Sequence, residues 1–598
     1  MKLRSLHEQL KIYLYDHRKK VDKVVGVISP FLFLAGFSML LYSFGFSVLP
    51  QYSLWLLHAF RIIISLLLIR FLIRLFFSLQ PWLYLKMHPF ESILYLLILI
   101  NSVLTLFGSH AFFSWLFKHL SVSGYLIILE YFFILILLLE TGKLTDYFYV
   151  VRLSPASLLA LSFLALIIGG MLLLKMPEMT HTGNIAWVDA LFTSTSACCV
   201  TGLTVHDTGT FFTFKGQLVI MILFLVGGVN MLTIATFIGS LYHRTGSLHT
   251  TGVIKGFLDA DHTANLQSIL RNVILYAFVI QLVGAIVVFL SWGTNMDFPG
   301  WADRLFYSVF HAVSAFNNAG FSLFTDGLHH PVVRFQYLIH LEIALLIVIG
   351  GMGFLVLQDI FAVESRRERK RHPWKKLQVN TRLVMLMTVL LIGAGTLLFY
   401  VFEYNHSLSE HSALGKLITA FFQSVTTRTA GFNTVDMTSV GRPALLLVLV
   451  LMFIGASPGS TGGGVKTTTI AVAFKAAMSN IRGRQHVEFF KRNISWEYVN
   501  KTYAVLFFAF AFIILFTLLL IVAEPDLPFN QLFFELISAF GTVGLSMGIT
   551  SDLSVVGKLI LIISMFVGRI GFLTLGLALT RKVLYTKYKY PTGRLMIG

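Results

Sequence analysis

Residues Asp189 to Thr204 read Asp-Ala-Leu-Phe-Thr-Ser-Thr-Ser-Ala-Cys-Cys-Val-Thr-Gly-Leu-Thr. The pattern predicts a short helix of about three turns that stops at a glycine and runs out through a few extended residues. The chain then repeats it. Residues 310–322 are Phe-His-Ala-Val-Ser-Ala-Phe-Asn-Asn-Ala-Gly-Phe-Ser. Residues 421–433 are Phe-Phe-Gln-Ser-Val-Thr-Thr-Arg-Thr-Ala-Gly-Phe-Asn, and residues 534–546 are Phe-Glu-Leu-Ile-Ser-Ala-Phe-Gly-Thr-Val-Gly-Leu-Ser. Each copy is a Phe-led apolar run, a small or β-branched residue, a glycine, Leu or Phe, then Ser, Thr or Asn. The glycines Gly202, Gly320, Gly431 and Gly544 stand 118, 111 and 113 residues apart. Such spacing marks an internal repeat, and four copies imply four-fold geometry about one axis.

The 598 residues are 56% hydrophobic and only 12% charged, with a mean hydropathy of +0.79. That balance excludes a soluble domain and fits a polytopic membrane protein. A net charge of +18 would point to nucleic acid in a soluble chain. Here the basic residues cluster between hydrophobic spans, as the positive-inside bias requires, so no nucleic-acid partner is expected. The adjacent Cys198 and Cys199 cannot build a disulfide framework. Without nearby histidines they read as helix-end packing rather than a metal site. No cleavable signal peptide is expected, because residues 1–23 are polar and basic with no apolar core before Val24.

Lys2, Arg4, Lys11, Arg18, Lys19, Lys20 and Lys23 mark residues 1–23 as a cytoplasmic N-terminus. Apolar spans near 24–46, 54–79, 91–109 and 123–142 follow, each close to the length that crosses a bilayer, giving a four-helix membrane region over 24–150. Arg61, Arg70 and Arg74 are 9 and 4 residues apart, not every third as in a voltage sensor. Arg70 and Arg74 are expected to share a face and snorkel to the cytoplasmic side. Lys143 and Arg152 return the chain inside.

From about 151 the pattern becomes opening helix, re-entrant stretch, closing helix, four times over. The repeats span 151–250, 251–365, 366–482 and 483–598, the last including a cytoplasmic tail. Opening helices are expected near 156–175, 272–292, 382–403 and 502–522, and closing helices near 217–240, 336–358, 444–478 and 555–580. The expected fold is therefore an all-α polytopic membrane protein. It has four helix–pore-loop–helix repeats with pseudo-four-fold symmetry, plus four extra N-terminal transmembrane helices. The re-entrant pieces are too short to span and too apolar for a loop. Non-helical backbone at membrane depth is tolerated only where it lines a water-filled cavity or is buried in protein.

Residues 366–376 carry seven basic residues in eleven, the next linker holds Arg482, Arg484, Lys491, Arg492 and Lys501, and the tail holds Arg581, Lys582, Lys587, Lys589 and Arg594. These read as cytoplasmic, and the first as a docking surface for a soluble partner. Every glycine stretch then opens to the outside. Asp207, Asp326, Asp436 and Asp552 follow the glycines by five to eight residues. Four carboxylates around an outer mouth would concentrate cations; alternatively each is a solvated loop or cap residue.

A filter strips water from an ion and replaces it with oxygen ligands, usually backbone carbonyls. Glycine supplies the dihedral freedom such a backbone needs, and the preceding helix directs its negative end at the ion. Within 455–464, Gly455, Ser457, Pro458, Gly459, Ser460, Thr461, Gly462, Gly463 and Gly464 interrupt the third closing helix and should unwind inside protein or water. A nucleotide-binding P-loop is excluded, because Val465 separates Gly464 from Lys466 and no soluble strand precedes it. Arg569 stands mid-span, where a charge costs about 2.5–3.5 kcal/mol.

The four glycine stretches, the segment 452–469 (Met-Phe-Ile-Gly-Ala-Ser-Pro-Gly-Ser-Thr-Gly-Gly-Gly-Val-Lys-Thr-Thr-Thr) and Gly568-Arg569-Ile570-Gly571-Phe572 together resemble the Trk/Ktr/HKT superfamily of potassium transporters. Within it they are most similar to the bacterial membrane subunits of TrkH and KtrB type, over about 150–590. The resemblance implies a channel-like potassium uptake subunit, and not an enzyme. It implies a selectivity filter binding K+ at Val200, Thr201, Gly202 and Leu203; Asn318, Ala319, Gly320 and Phe321; Thr429, Ala430, Gly431 and Phe432; and Thr542, Val543, Gly544 and Leu545. Glycine at all four key positions goes in the family with potassium preference, and serine at the first with sodium conduction. The loop Gly459, Ser460, Thr461, Gly462, Gly463 and Gly464 becomes an intramembrane gate, with Arg569 a positive barrier below the filter; an arginine satisfying backbone carbonyls is the alternative. Arg428 would brace the filter backbone. The resemblance further implies a homodimer in the bacterial inner membrane and a cytosolic regulatory subunit of RCK type. No cofactor is expected beyond K+, and nucleotide only through that partner. The four N-terminal spans depart from the eight-helix pattern of KtrB-type subunits. A secondary transporter of another cation or small solute is the competing reading; it predicts no four equivalent outer filters.

Overall fold

Long apolar runs without a polar stripe are stable as helices only where lipid or other helices surround them. The computed structural model describes residues 2–47, 50–77, 81–87, 89–106, 130, 133–136, 155–243, 266–292, 298–372 and 377–579, and they are almost wholly helical. Two compact units divide the chain: Met1–Arg152 with Met176–Glu178, and Leu153–Lys175 with Met179–Gly598.

The first unit holds helices Lys2–Gly45, Pro50–Phe76, Pro81–Met87 and Pro89–Leu106. Leu56, Phe60, Ile63, Leu67 and Phe71 fall on one stripe of the second helix and pack on Leu94, Tyr95, Ile98, Phe133 and Ile136. Arg70 does not snorkel. It is buried, donates to the Ser29 hydroxyl at 3.0 Å and lies 5.0 Å above the Phe33 ring. The neighbouring helix supplies both an acceptor and an aromatic face, which outweighs reaching for water. Most of the expected span near 123–142, with Lys143 and Arg152, lies outside the described residues, as does the basic tail from 580 onward.

The second unit contains the four repeats. Opening helices are Pro155–Leu174, Leu266–Ser291, Val379–Glu403 and Trp496–Ala523; pore helices are Trp187–Cys198, Trp301–Asn317, Ala413–Thr426 and Phe529–Gly541. Besides the third, whose interruption the sequence implies, the second and fourth closing helices are broken and correct the expectation of continuous spans. The second is Tyr337–Met352 plus Phe354–Phe361, the third Arg442–Phe453 plus Thr467–Ile481, and the fourth Val555–Ile570 plus Phe572–Leu579; only the first, Phe214–His243, continues unbroken. The second bends by 97°. At the breaks Gly353 has φ +95° and Gly571 φ +83°, a left-handed region that ends an α-helix and that glycine adopts without cost. Among the described residues six helices are long and apolar enough to cross a membrane, or seven with the bent pair. A short antiparallel hairpin, Val487–Phe489 with Arg492–Ile494, precedes the last opening helix. That helix starts at Trp496, six residues earlier than expected.

Equivalent contacts recur between repeats. The Ser194 hydroxyl donates to Ile167 O (2.7 Å), and that of Ser424 to Ile392 O (2.9 Å), tying pore helix to opening helix in repeats 1 and 3. In repeats 3 and 4 a glutamate at the end of the opening helix caps the start of the closing helix. Glu403 accepts from the Gly441 N–H (2.9 Å) and the Ser407 hydroxyl (2.9 Å), and Glu524 from the Ser554 N–H (2.7 Å). Each carboxylate meets a helix N-terminus, where negative charge is favoured.

Replacing Glu403 with alanine orphans the half-buried Gly441 N–H, which costs up to about 1–3 kcal/mol. The Glu403→Ala protein should therefore melt earlier in detergent, with Glu403→Gln recovering part of the loss; parental melting of the alanine variant would show that the cap stabilises nothing.

Candidate functional site

The pore helices do not stop at the glycines. They end earlier, and the residue two before each glycine reverses the chain in the left-handed region: Val200 (φ 57°), Asn318 (59°), Thr429 (67°) and Thr542 (49°). Only then come Gly202, Gly320, Gly431 and Gly544, at φ 93°, 72°, 77° and 93°. A non-glycine residue there costs about 1–2 kcal/mol, and such strain concentrates at functional sites. The turn is held by the helix itself: the N–H groups of Thr201, Ala319 and Val543 reach back to the carbonyls of Ser196, Ser314 and Ser538 at 2.8 Å, and Ala430 N–H reaches Thr426 O at 3.0 Å.

The four glycines form a closed ring. A Cβ added to Gly202 would stand 2.6 Å from Ala319 O, and one on Gly320 2.8 Å from Ala430 O. One on Gly431 would collide with Val543 O, and one on Gly544 with Thr201 O. Each repeat thus abuts the next and the fourth returns to the first. Hydroxyls of the pore helices back this backbone. Gly202 N–H and Gly544 N–H donate to Ser196 Oγ and Ser538 Oγ (3.1 Å each), while Ser314 and Thr426 donate to Phe321 O (2.8 Å) and Phe432 O (2.6 Å). Val200, Thr201, Leu203, Asn318, Ala319, Phe321, Thr429, Ala430, Phe432, Thr542, Val543 and Leu545 are all buried.

The glycine-rich loop lies against one end of this ring. Its neck is closed by Gly455 N–H donating to Val465 O at 2.9 Å. Between them the loop touches the left-handed residues of three repeats. Thr461 donates to Asn318 Oδ1 (3.3 Å), Gly463 N–H donates to Thr542 Oγ1 (3.0 Å), and Gly462 leaves no room for a Cβ against Thr429 Oγ1. Ser457 N–H to Gly351 O (3.1 Å), Phe354 N–H to Gly459 O (3.0 Å) and Gly464 N–H to Gly568 O (3.3 Å) pin it at or beside the breaks of the second and fourth closing helices. Arg569 is buried in the last turn before the break of the fourth closing helix. Its guanidinium donates to Thr461 O of the loop and to Gly227 O (2.7 Å) and Gly228 O (3.4 Å) of the first closing helix. The loop and Arg569, far apart in the chain, are joined in one assembly. Lys466 joins it, donating to Gly462 O (2.8 Å) and Gly463 O (3.4 Å).

The four aspartates make local contacts. Asp207 accepts from Thr210 N–H (2.8 Å) and hydroxyl (2.9 Å), Asp436 from Thr438 N–H (2.9 Å) and hydroxyl (2.7 Å), and Asp552 from the Ser551 hydroxyl (3.2 Å). Asp326 precedes the short turn Gly327–His329. Arg428 reaches Thr388 Oγ1 (3.5 Å) on the third opening helix, not the backbone beside Gly431; its side chain leaves the pore helix on the opening-helix side. Asp189, within the first stretch quoted, bridges Lys558 (2.7 Å) and His206 (3.2 Å) and so joins repeats 1 and 4. Cys198 and Cys199 are buried and unlinked. Among the described residues no group of three His, Cys, Asp or Glu side chains could hold a metal ion.

A family model described as TrkH, cation transport protein, matches residues 160–588. The Ktr system potassium uptake protein B of Vibrio alginolyticus is 38% identical over 451 residues, covering 74% of this chain and 94% of that protein. Its namesake in Bacillus subtilis is 36% identical, covering 75% and 98%. The potassium/sodium uptake protein NtpJ of Enterococcus hirae is 35% identical, covering 75% and 98%. The crystal structure of the potassium transporter TrkH from Vibrio parahaemolyticus shares the fold, with a TM-score of 0.57 at 20% identity over 70% of this chain and 83% of that one.

If the ring depends on bare glycine, Gly320→Ala, which drives a methyl into the Ala430 carbonyl at a positive φ, should lower cation flux by about tenfold or more. Gly169→Ala, with nothing within 4 Å of the added methyl, is the control and should conduct like the parent. Equal flux from both variants would dissolve the ring as a functional element.

Proposed function

The chain belongs to the TrkH family of cation transport proteins, a multi-pass membrane protein and not an enzyme, and from that premise we propose that it is a potassium-translocating subunit with a four-repeat selectivity filter and an intramembrane gate. The closed glycine ring carries this reading. At each step around it a backbone carbonyl and a bare Cα meet, which supports a constriction lined by oxygen dipoles rather than side chains. Such a lining suits a dehydrated monovalent cation, since fixed carbonyls replace the hydration shell. Val200–Leu203, Asn318–Phe321, Thr429–Phe432 and Thr542–Leu545 would supply it. Relatives named for potassium uptake, each covered almost whole by this chain, support the same ion. Sodium is the second candidate, on the name of the Enterococcus hirae relative.

The loop 459–464 would then be the gate. It spans the inner residues of the second, third and fourth repeats and ties to the first through Arg569, so it obstructs the axis sterically. The guanidinium acts twice: it latches Thr461, and it sets a positive charge at a level where poor hydration magnifies repulsion of a cation. The aspartates Asp207, Asp326, Asp436 and Asp552 would raise local cation concentration at the outer mouth. The reading extends to a homodimer in the bacterial inner membrane with a cytoplasmic N-terminus, and to a cytosolic nucleotide-binding regulator of RCK type.

Purified protein in liposomes tests selectivity directly. Gly202→Ser should raise the sodium-to-potassium permeability ratio by about tenfold, equivalent to about 1.4 kcal/mol of discrimination. An unchanged ratio would remove Gly202 from the filter, and a parent without potassium preference would remove the potassium reading.

The gate is tested by basal flux. Deleting residues 459–463 should raise it by about tenfold or more, and Arg569→Gln by about threefold, without altering ion preference. Parental conduction by both variants would make loop and arginine structural.

A further inference from the structure

Behind the filter, one position of the pore helix recurs with four chemistries. Three residues before Ser196, Ser314, Thr426 and Ser538, the hydroxyls that back the ring, stand Thr193, His311, Gln423 and Glu535. Thr193, His311 and Glu535 lie nine residues before their glycine and Gln423 eight, because the third repeat is one residue shorter in its turn. All four are buried.

In repeats 2, 3 and 4 this side chain presents an acceptor to the segment leaving the filter. Glu535 Oε1 accepts from the Ser546 hydroxyl and the Met547 N–H (3.2 Å), and Oε2 from the Thr550 hydroxyl (3.2 Å). With its amide oxygen turned to the same segment, Gln423 accepts from the Thr434 and Val435 N–H groups (3.2 Å each) and the Thr434 hydroxyl (3.0 Å). His311 Nδ1 lies 2.8 Å from Tyr307 O, a pure acceptor, so Nδ1 carries the proton and Nε2 accepts from the Ser322 hydroxyl at 3.1 Å. That hydroxyl oxygen in turn accepts from the Phe324 N–H at 3.1 Å. Repeat 1 has only Thr193 there and moves the tie one turn down the helix, where Asp189 holds His206 at 3.2 Å. Four different pairs do one mechanical task.

We propose that His311, Gln423 and Glu535 are positioning residues of the filter: acceptors that fix the outgoing backbone just beyond each glycine and thereby set the carbonyl geometry on which discrimination between potassium and sodium depends. Glu535 carries the largest share, because it alone accepts through both of its side-chain oxygens, ordering two hydroxyls and a backbone N–H of the fourth repeat. This inference rests on the potassium-filter reading.

Permeability ratios and half-saturating potassium are measured on liposomes carrying the full chain. Glu535→Ala should raise sodium relative to potassium permeability by about tenfold, from the loss of buried hydrogen bonds. Glu535→Gln keeps one oxygen to accept from Ser546 and Met547 and offers an amide N–H to the Thr550 hydroxyl oxygen, so it should stay within about twofold of the parent. Ser546→Ala combined with Thr550→Ala leaves Glu535 in place, removes two of its donors, and should shift the ratio by about threefold; it also decides the matter if the alanine variant does not fold. A folded Glu535→Ala protein, or a Ser546/Thr550 double variant, with the parental ratio and half-saturation overturns the inference while leaving the filter reading intact. A parent without potassium preference in the same vesicles overturns the filter reading itself, so the two failures are distinct.

Discussion

A backbone carbonyl pressed against the bare Cα of the next repeat is the contact on which the rest of the second unit depends. It occurs four times in cyclic order, Gly202 on Ala319, Gly320 on Ala430, Gly431 on Val543 and Gly544 on Thr201. To bring four chain segments this close, side chains must be absent at one level and directed away at the next. The pore helices achieve both by ending early, in a left-handed non-glycine residue whose strain is offset by a hydrogen bond back into the helix. Polar side chains of the same helices then satisfy the backbone on the far side, as buried polar groups require.

The breaks in the closing helices follow from the same crowding. A straight helix could not give up backbone donors and acceptors to the glycine-rich loop. Where the second and fourth closing helices break, at Gly353 and Gly571, the residues beside the break exchange hydrogen bonds with that loop. The loop therefore satisfies its polar backbone inside protein, the condition for non-helical chain at membrane depth. Arg569 and Lys466, costly as isolated charges, donate to carbonyls of the loop, and Arg569 also to Gly227 O of the unbroken first closing helix. Their burial and the irregular backbone are mutually dependent.

Much of this was legible in the residues alone. The four glycine stretches, the opening helices with starts within six residues, and the interruption at 455–464 all follow from spacing and composition. Sequence reasoning placed the helix ends at the glycines because glycine is the usual left-handed terminator; Val200, Asn318, Thr429 and Thr542 take that conformation only because tertiary packing overrides propensity. The positions holding His311, Gln423 and Glu535 were visible in the aligned repeats, but three unlike side chains offset by one residue do not resemble a motif. Arg70 was misread because its partners, Ser29 and Phe33, lie on a different helix. The breaks at Gly353 and Gly571 were missed since single glycines are common in membrane helices and only the contacts say which ones bend.

Because one polypeptide supplies all four quarters of the ring, its closure is a unimolecular event. The linkers set the effective concentration of each repeat near its neighbour, so dilution in a large membrane cannot open the ring as it could a tetramer of separate chains. Covalent continuity also fixes the cyclic order and frees each quarter to vary alone. An acceptor can be an imidazole in one repeat, an amide in another and a carboxylate in a third. Four identical subunits would have to change together, so a single substitution here perturbs one quarter of the constriction and yields graded rather than all-or-none effects.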